Sequence, residues 1–286
     1  MDLQAIKAKM AALSAELHLH NHAYYVLNEP QISDYEFDML LKELELLEKA
    51  QPSLIDPNSP TRRVGGDITK KFEAKAHRFP MLSLSNSYSE QEIIDWAERC
   101  QKALGEASEF VCELKYDGVA IGIRYQDGAL IQALTRGDGQ QGEEVTTNVR
   151  TIRSIPLMLN EIAPSDFEIR GEIFMPQQNF QALNEQRAAA NEALFANPRN
   201  TASGTLKLLD SKEVAKRGLD CYLYGVHGVQ NLSSGHFEAV QKAKEWGFKV
   251  PDPKQRMIEK TTTIDGIMDF IQFWDVQRHN LPFEID

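Results

Sequence analysis

Two runs of strand-forming residues, joined by Asp127-Gly128, constrain the fold of this chain more than any other feature. The runs are FVCELKYDGVAIGIRYQ and ALIQALT, and Asp-Gly is a preferred dipeptide of two-residue hairpin turns. A hairpin makes consecutive strands antiparallel neighbours. The later segments DFEIRGEIFMP and LDCYLYGV are also predicted strands, and helical patterns interleave with them irregularly. The sequence therefore predicts an α+β fold with antiparallel sheets and disfavours a doubly wound parallel sheet.

Residues 1–66 are predicted to form a small helical unit. Ser33 and Glu36 form a capping-box pattern at the start of its second helix. Apolar residues recur at helical spacing in both predicted helices: Leu3, Ile6, Met10, Leu13, Leu17, Leu40, Leu41, Leu44 and Leu47. Prolines and Gly65-Gly66 then indicate a linker. Residues 67–286 are predicted to be a second domain, with helices in SEQEIIDWAERCQKAL, PQQNFQALNEQRAAANE, GHFEAVQKAKEWGF and TIDGIMDFIQFWDVQRHN and the beginning of a strand in LPFEID.

The composition excludes several classes of protein. Lysine and arginine number 31 against 42 aspartates and glutamates, so the net charge is −11 and this chain alone is expected to bind nucleic acid weakly. Its three cysteines lie far apart without a C-x-x-C pair, which disfavours a disulfide framework or a zinc finger and suits the cytoplasm. No signal-peptide pattern and no apolar run of membrane-spanning length is present, so no membrane partner is expected.

A glycine-rich hexapeptide, GDGQQG at residues 137–142, matches the G-x-G-x-x-G pattern of dinucleotide-binding folds. The context disfavours that interpretation, because the preceding strand is half of a hairpin. The stretch before Ile155-Pro156 is also short for a crossover helix. The glycines are instead expected to let a loop approach the backbone or the phosphates of a ligand closely.

The segment CELKYDGVA places a lysine between two acids. On an extended strand, Glu113, Lys115 and Asp117 share one face, and the intervening side chains point to the other. One explanation is a solvated surface with weak ion pairs. Another is a nucleophilic amine, which must lose its proton before it attacks. Because the Asp117 carboxylate favours the ammonium form, a bound divalent cation is expected to offset it.

The sequence KYDG matches the K-x-D-G signature of covalent nucleotidyltransferases. Together with TRGDGQQGEEVTTNVRTIRSIP, FEIRGEIFMP, FANPRNTASGTLK, LYGV and LPFEID, it closely resembles the bacterial NAD-dependent DNA ligases. The N-terminal AYYVLNEPQISDYEFDMLLKELELLE resembles their short helical domain, and PMLSLSNSYS resembles the segment upstream of their nucleotide pocket. This resemblance covers essentially the whole chain. It implies an ATP-grasp-like nucleotidyltransferase (ligase) fold preceded by a helical NMN-binding subdomain.

The resemblance implies a mechanism. Lys115 would attack the α-phosphate of NAD and release nicotinamide mononucleotide (NMN), and the lysyl-AMP would then serve to seal nicks in duplex DNA. Asp117 would assist proton removal or contact Mg²⁺ or Mn²⁺, and Glu113 would recognise the adenine. Arg136 and Glu172 would contact the ribose and its surroundings.

The resemblance also implies binding residues outside this strand. Ser83 and Leu84 would line the mouth of the pocket. Arg199 and Lys207 would contact phosphate. The alternatives are that Arg199 belongs to a helix start and that Lys207 is a solvated charge.

The helical unit is expected to bind the cationic nicotinamide ring, for which aromatic faces and carboxylates are suited. Asp34 and Asp38 lie one helical turn apart, although Asp34 also suits the start of a helix for electrostatic reasons. Phe37 departs from the tyrosine frequent in the family; it can stack but not donate a hydrogen bond. The full candidate set is Tyr24, Tyr25, Asp34, Tyr35, Glu36, Phe37 and Asp38.

The family's full enzyme continues beyond LPFEID into a strand that carries a catalytic lysine, and then into DNA-binding domains. The sequence given stops at Asp286. We therefore expect a monomer that binds NAD, adenylates itself slowly and holds nicked duplex DNA weakly. Three alternatives stay open: an ATP- or GTP-using nucleotidyltransferase, a catalytically impaired NAD-binding fragment, and an enzyme that uses Lys115 in a pyridoxal-phosphate Schiff base.

Overall fold

The computed structural model describes residues 3–25, 31–56, 59–62, 72–157, 159, 162–230, 232–233 and 235–286, with the backbone alone at residues 18 and 21–25. The helices are α1 (Leu3–Tyr25), α2 (Asp34–Ala50), α3 (Glu90–Leu104), α4 (Thr146–Val149), α5 (Gln177–Ala189), α6 (Pro198–Leu206), α7 (Ser211–Arg217), α8 (His236–Glu245) and α9 (Ile264–Gln277). The strands are β1 (Ala74–Ala76), β2 (Phe110–Glu113), β3 (Val119–Gln126), β4 (Ala129–Thr135), β5 (Gln141–Glu143), β6 (Asp166–Phe174), β7 (Asp220–His227) and β8 (Ile258–Thr261).

Helices α1 and α2 pack against each other as the sequence predicts. Met10, Leu13, Leu17 and Leu44 are buried between them, whereas Leu3, at the start of the predicted stripe, is exposed. The capping box at the start of α2 is confirmed, because the Ser33 hydroxyl accepts from the backbone of the third helical residue and that residue's carboxylate accepts from the Ser33 amide.

The main sheet has the strand order β4-β3-β6-β7, and neighbouring strands are antiparallel. Its centre is the predicted hairpin. Asp127 and Gly128 have φ values of 50° and 78°, the left-handed conformation that a type I′ turn requires at both central residues. The predicted α+β class with antiparallel sheets is therefore confirmed.

The two faces of this sheet differ. Alternate residues of β3, namely Ile121, Ile123 and Tyr125, are completely buried in the main hydrophobic core. The intervening positions face the other way, and Ala120 pairs with Glu172 of β6 there. This second face leads toward the lysine segment, so the period-two pattern determines which side chains reach the candidate site.

The glycines of GDGQQG close a tight hairpin between β4 and β5. A Cβ on Gly137 would lie 1.9 Å from the carbonyl oxygen of Gln141, and one on Gly142 would lie 1.8 Å from that of Thr135. The dinucleotide-binding alternative is excluded, because β4 pairs antiparallel with β3 and the helix that follows, α4, has four residues. The predicted reason for the glycines was incomplete: they permit contacts between backbone segments of the hairpin itself.

Several elements were not predicted from the sequence. They include the short strand β8, which pairs with β2, and the helix α7, while α6 was anticipated only as a helix start at Arg199. At the other end of the chain, LPFEID contributes a single bridge between Ile285 and Tyr116 rather than a longer strand. Among the described residues, no helix combines the length and apolar character needed to cross a membrane.

Candidate active site

The KYDG segment continues the line of β2 between two hydrogen-bonding partners. The amide of Leu114 donates to Met257 beside β8 at 3.2 Å. One residue later the chain pairs with LPFEID, where the amide of Asp286 donates to the Lys115 carbonyl at 2.8 Å. Leu114 and Tyr116 are buried in an aromatic cluster, whereas the Lys115 side chain is 51% exposed. The predicted alternation of faces is confirmed.

Gly118 brings this segment against β6. A Cβ at this position would lie 2.2 Å from the carbonyl oxygen of Ile173 and 3.0 Å from the side chain of Glu172. Only glycine fits such a backbone contact without a shift. The glycine of K-x-D-G therefore has a structural reason: it seats the lysine segment on the strand that carries Glu172.

Lys115 and Asp117 have different surroundings although they share a face. The Lys115 ammonium forms an ion pair with the side chain of Asp286. Asp117 is less exposed and lies 3.3 Å from the Arg199 guanidinium. Burial raises the pKa of Asp117, Arg199 opposes that shift, and the carboxylates of Asp286 and Asp34 add to it. Asp117 therefore holds a proton more readily than an exposed aspartate.

Glu172 is the most strongly perturbed carboxyl of the site. Burial raises its pKa to about 7, while a hydrogen bond from the Tyr224 hydroxyl, 3.2 Å long, and the charges of Arg199, Lys115 and Arg136 oppose the shift. Arg199 and Lys115 also act on the ionisation of Asp117. Two carboxylates and these cations thus form one electrostatically coupled group, which fits binding of a substrate with negative charge.

This coupling predicts how stability depends on pH. Because the pKa of Glu172 is raised from 4.5 to about 7, the folded protein keeps this proton over a range where the unfolded chain has lost it. The contribution of Glu172 to stability is therefore lost as the pH rises through that range. We expect Glu172→Gln to gain stability relative to wild type between pH ~5 and ~7.5, measured by chemical denaturation at each pH. The exposed Glu106→Gln should show no such trend, and parallel curves for wild type and Glu172→Gln would contradict the assignment.

Glu113 contacts a histidine of a predicted helix, but this histidine was not among the predicted site residues. Its Oε2 lies 3.0 Å from Nε2 of His236, at the start of α8. Its Oε1 is buried and, within the described part of the chain, has no hydrogen-bond partner. Nothing in the local pattern around His236 indicated this contact, since the two residues lie 123 positions apart.

The two basic residues predicted to contact phosphate have different positions. Arg199 lies at the start of α6, which Asn197 caps. It also forms an ion pair with Asp117, so its position at a helix start does not prevent a role in the site. The Lys207 ammonium lies 2.7 Å from the nearly completely buried carboxylate of Glu143. The alternative of a solvated charge at Lys207 is therefore wrong, because this amine neutralises a buried acid.

The segment around Ser83 and Leu84 is anchored at both ends. The amide of Met81 donates to the carbonyl of Gly139 in the glycine hairpin, and Asn86 donates to Asp38 of α2. Between these anchors, Ser83 is exposed and Leu84 is 79% exposed. The segment thus connects the hairpin next to Arg136 with the helical unit.

Asp38 is the main polar contact between α2 and this segment. Its carboxylate accepts from the Tyr88 hydroxyl and the Asn86 amide, both at 2.6 Å. Burial, together with the bond to Asp38, raises the pKa of Tyr88 to about 12. Tyr35 packs edge-on against Tyr88, with the ring centroids 5.6 Å apart, and Lys42 forms an ion pair with Glu92 of α3. Asn86 and Tyr88 were not among the predicted site residues.

The other candidates of the helical unit differ in position. Asp34 is exposed, and its charge acts on Asp117. Glu36 uses a carboxylate oxygen in the capping box, and Phe37 packs partly buried against the core of α1 and α2. The structure therefore gives Glu36 and Phe37 roles within the helical unit. The side chains of Tyr24 and Tyr25 lie outside the described residues.

Lys115 on an extended segment, next to the partly desolvated carboxyls of Asp117 and Glu172 on an antiparallel sheet, is the arrangement expected of an α+β nucleotidyltransferase. A family model described as the NAD-dependent DNA ligase adenylation domain matches residues 69–286. A second, the DNA ligase-like N-terminal NAD⁺-binding domain, matches residues 3–65. The chain therefore belongs to the NAD-dependent DNA ligase family, and the resemblance inferred from its motifs is confirmed.

Curated relatives carry the name DNA ligase. The relative from Bacteroides fragilis is 52% identical over 98% of this chain and 42% of its own length. Those from Flavobacterium psychrophilum and Christiangramia forsetii are 51% and 50% identical over 97% and 98% of this chain, and 41% and 42% of their own lengths. The chain thus spans about two fifths of the length of the curated relatives it matches.

Proposed function

We propose that this chain carries out the first step of NAD-dependent DNA ligation, the transfer of AMP from NAD to Lys115. The observation that carries the proposal is the coupled group of Lys115, Asp117, Glu172 and Arg199 in a chain of this family. In the longer protein, the lysyl-AMP would activate the 5′-phosphate of a nick in duplex DNA during replication and repair. Bacterial origin, a cytoplasmic location and a monomeric state are part of the same proposal.

The proposed step is a substitution at phosphorus. The unprotonated Lys115 amine attacks the α-phosphorus of NAD, an N–P bond forms, and the P–O bond to NMN breaks, so that NMN leaves with the electron pair. The amine has to lose a proton for this attack. Asp117 suits that role because burial raises its pKa above that of an exposed aspartate. Arg199, 3.3 Å from Asp117, would balance negative charge on the phosphates.

Mg²⁺, or Mn²⁺ in its place, is proposed as the metal of this reaction. Two carboxyls that burial has made less acidic, those of Asp117 and Glu172, suit a cation nearby. The described residues contain no cluster of three side chains able to hold a metal by themselves. The ion would thus combine one or two carboxylates with substrate phosphate oxygens, a common arrangement for Mg²⁺. When bound, it would neutralise charge on the phosphates.

Intact mass spectrometry tests the proposal. After incubation with NAD and Mg²⁺, we expect the protein to gain one adenylyl group, and peptide mapping should place it on Lys115. Parallel incubations with ATP and GTP test the alternative donor. An adduct that formed from ATP but not from NAD would contradict the proposed function. An absorbance spectrum of the purified protein would reveal bound pyridoxal phosphate.

Residues 1–66 are proposed as the NMN-binding subdomain and residues 67–286 as the adenylation domain. In this proposal, Tyr24, Tyr25, Asp34, Tyr35 and Asp38 serve the nicotinamide half of NAD, and Ser83, Leu84, Glu113, Arg136 and Glu172 serve the adenosine half. Support comes from the position of Asp34, which is close enough for its charge to act on Asp117. The two halves of NAD would thus be held by different parts of the chain.

Asp38→Ala should separate these two functions. We expect the rate of adduct formation from NAD to fall by roughly 10- to 100-fold, because a carboxylate facing the cationic ring is lost. Binding of AMP, measured by calorimetry, should stay within about twofold of wild type. Tyr88→Phe is the control, because it removes only the hydroxyl that donates to Asp38. Equal losses in both variants would assign Asp38 to docking of the helical unit instead.

A further inference from the structure

Glu113 presents a buried hydrogen-bond acceptor that no donor of the described residues reaches. Oε1 of Glu113 is buried without a partner among the described residues, whereas Oε2 is engaged by His236 at 3.0 Å. A buried acceptor without a donor is unfavourable and calls for an explanation. Glu113 also lies on the same face of the segment as Lys115, so a ligand bound beside that lysine is the natural source of the missing donor.

The position of His236 is determined by a different part of the fold. His236 is the first residue of α8, and this helix packs against β7 and β8. Strand β8 in turn pairs with β2, whose last residue is Glu113. The imidazole and the carboxylate therefore meet through the packing of two elements and not through a flexible loop, which suits a contact that orients a side chain.

We propose that His236 is a positioning residue: its imidazolium holds Oε2 of Glu113 so that Oε1 accepts the exocyclic amino group of the adenine of NAD. Adenine offers a donor there, and a carboxylate oxygen is a strong acceptor. The inference rests on the proposed function, because it assumes that NAD binds beside Lys115. It adds His236 to the NAD site and predicts that NAD affinity depends on pH, neither of which the chemistry of Lys115 requires.

The charges around His236 favour its protonated form. The hydrogen bond to Glu113 raises the pKa of His236, and burial opposes that shift. From β7, His227 is a second imidazole, whose pKa is lowered first by burial and in smaller part by the charge of His236. From β8, Lys260 is neutralised by Glu238 of α8 and by Glu109, at 2.8 and 2.9 Å. Glu113 is thus the carboxylate that determines the charge of this imidazole.

This arrangement determines the direction of the pH dependence. Since the pKa of His236 is raised above 6.5, the imidazolium is present below that raised value and is lost as the pH increases through it. Neutral imidazole holds the carboxylate less strongly, because charge-assisted hydrogen bonds are stronger than neutral ones. NAD binding should therefore be tightest at lower pH and weaken as the pH rises.

Calorimetry in a Lys115→Arg background tests this, because arginine keeps the positive charge and does not react with NAD. We expect the Kd for NAD to rise by roughly 3- to 10-fold between pH 6 and 9. Adding His236→Gln should reduce this dependence, because the amide donates without titrating, and leave only the part that comes from ionisation of Glu172. Adding His227→Gln is the matched control and should leave it in place. A His236→Gln profile parallel to that of the background would overturn the inference.

A second measurement addresses the adenine contact directly. A site that hydrogen-bonds an amino group discriminates against an analogue that lacks it. At pH 6.5 we expect the Lys115→Arg protein to prefer NAD over its hypoxanthine analogue, and this preference should fall at least about threefold on adding His236→Gln. An unchanged preference would also overturn the inference. If the wild-type protein formed no adduct, the proposed function would be refuted instead. The calorimetry of NAD binding tests the His236 inference separately, because it does not depend on turnover.

Discussion

Lys115→Ala should form no AMP adduct with NAD. An adduct requires a nucleophile at this position, and Lys115 is the single lysine of the KYDG segment. Loss of the nucleophile in covalent catalysis removes the intermediate altogether, so we expect the rate of adduct formation to fall by at least about 10³-fold. The measurement is intact mass spectrometry after incubation with NAD and Mg²⁺, followed by peptide mapping.

Two further variants separate nucleophilicity from charge. Lys115→Arg keeps a cation that can pair with Asp286 but cannot be deprotonated under these conditions. It should bind NAD within a few-fold of wild type and still form no adduct. Lys216→Ala changes an exposed lysine of α7 that pairs with Glu213, and it should react as wild type does. A stable adduct on a lysine other than Lys115 would contradict the assignment.

Local sequence patterns predicted the elements that are stabilised locally. The hairpin at Asp127-Gly128 and the capping box of Ser33 follow from the conformational preferences of a few adjacent residues. The alternation around Lys115 was also predicted, because a period of two is a property of any extended segment. For α6 the sequence indicated a helix start at Arg199 but not the length of the helix, since its small and polar residues show little apolar periodicity.

The candidate site was predictable as a set of residues but not as a set of contacts. Motifs identified Lys115, Asp117, Glu172 and Arg199, and the structure couples their charges. The contact between Lys115 and Asp286 spans 171 residues, which no local pattern can indicate. Lys207 shows the same limit: at the end of α6 it pairs with Glu143, the last residue of β5, which is distant in the sequence.

Gly118→Ala is the most informative change outside the charged residues, because it acts on the geometry of the site alone. The added Cβ would lie 2.2 Å from the carbonyl oxygen of Ile173, a backbone atom that cannot rotate away. The next residue, Val119, pairs with Ile173 in the main sheet. Either the sheet pairing or the lysine segment must therefore shift. Overpacking of this kind typically lowers stability by about 1–3 kcal/mol.

The same shift should lower the rate of adduct formation strongly, in addition to lowering the stability of the fold. Asp117 directly precedes Gly118 and Glu172 directly precedes Ile173, so relieving the clash moves the two carboxylates of the site apart. A displacement of about 1 Å in a catalytic arrangement can lower a rate by roughly 10²-fold. We expect a loss of that size in adduct formation, together with a fall in Tm of roughly 2–12 °C.

Gly204→Ala is the matched control for this prediction. Gly204 lies in α6, and a Cβ there would have no neighbour within 4 Å. Alanine is the better helix former, so this variant should be stabilised by about 0.5–1 kcal/mol. The opposite signs of the two effects would show that Gly118 is required for close backbone approach and Gly204 is not. If Gly118→Ala kept the Tm and the rate of adduct formation of the wild type, the KYDG glycine would not determine the spacing between Lys115 and β6.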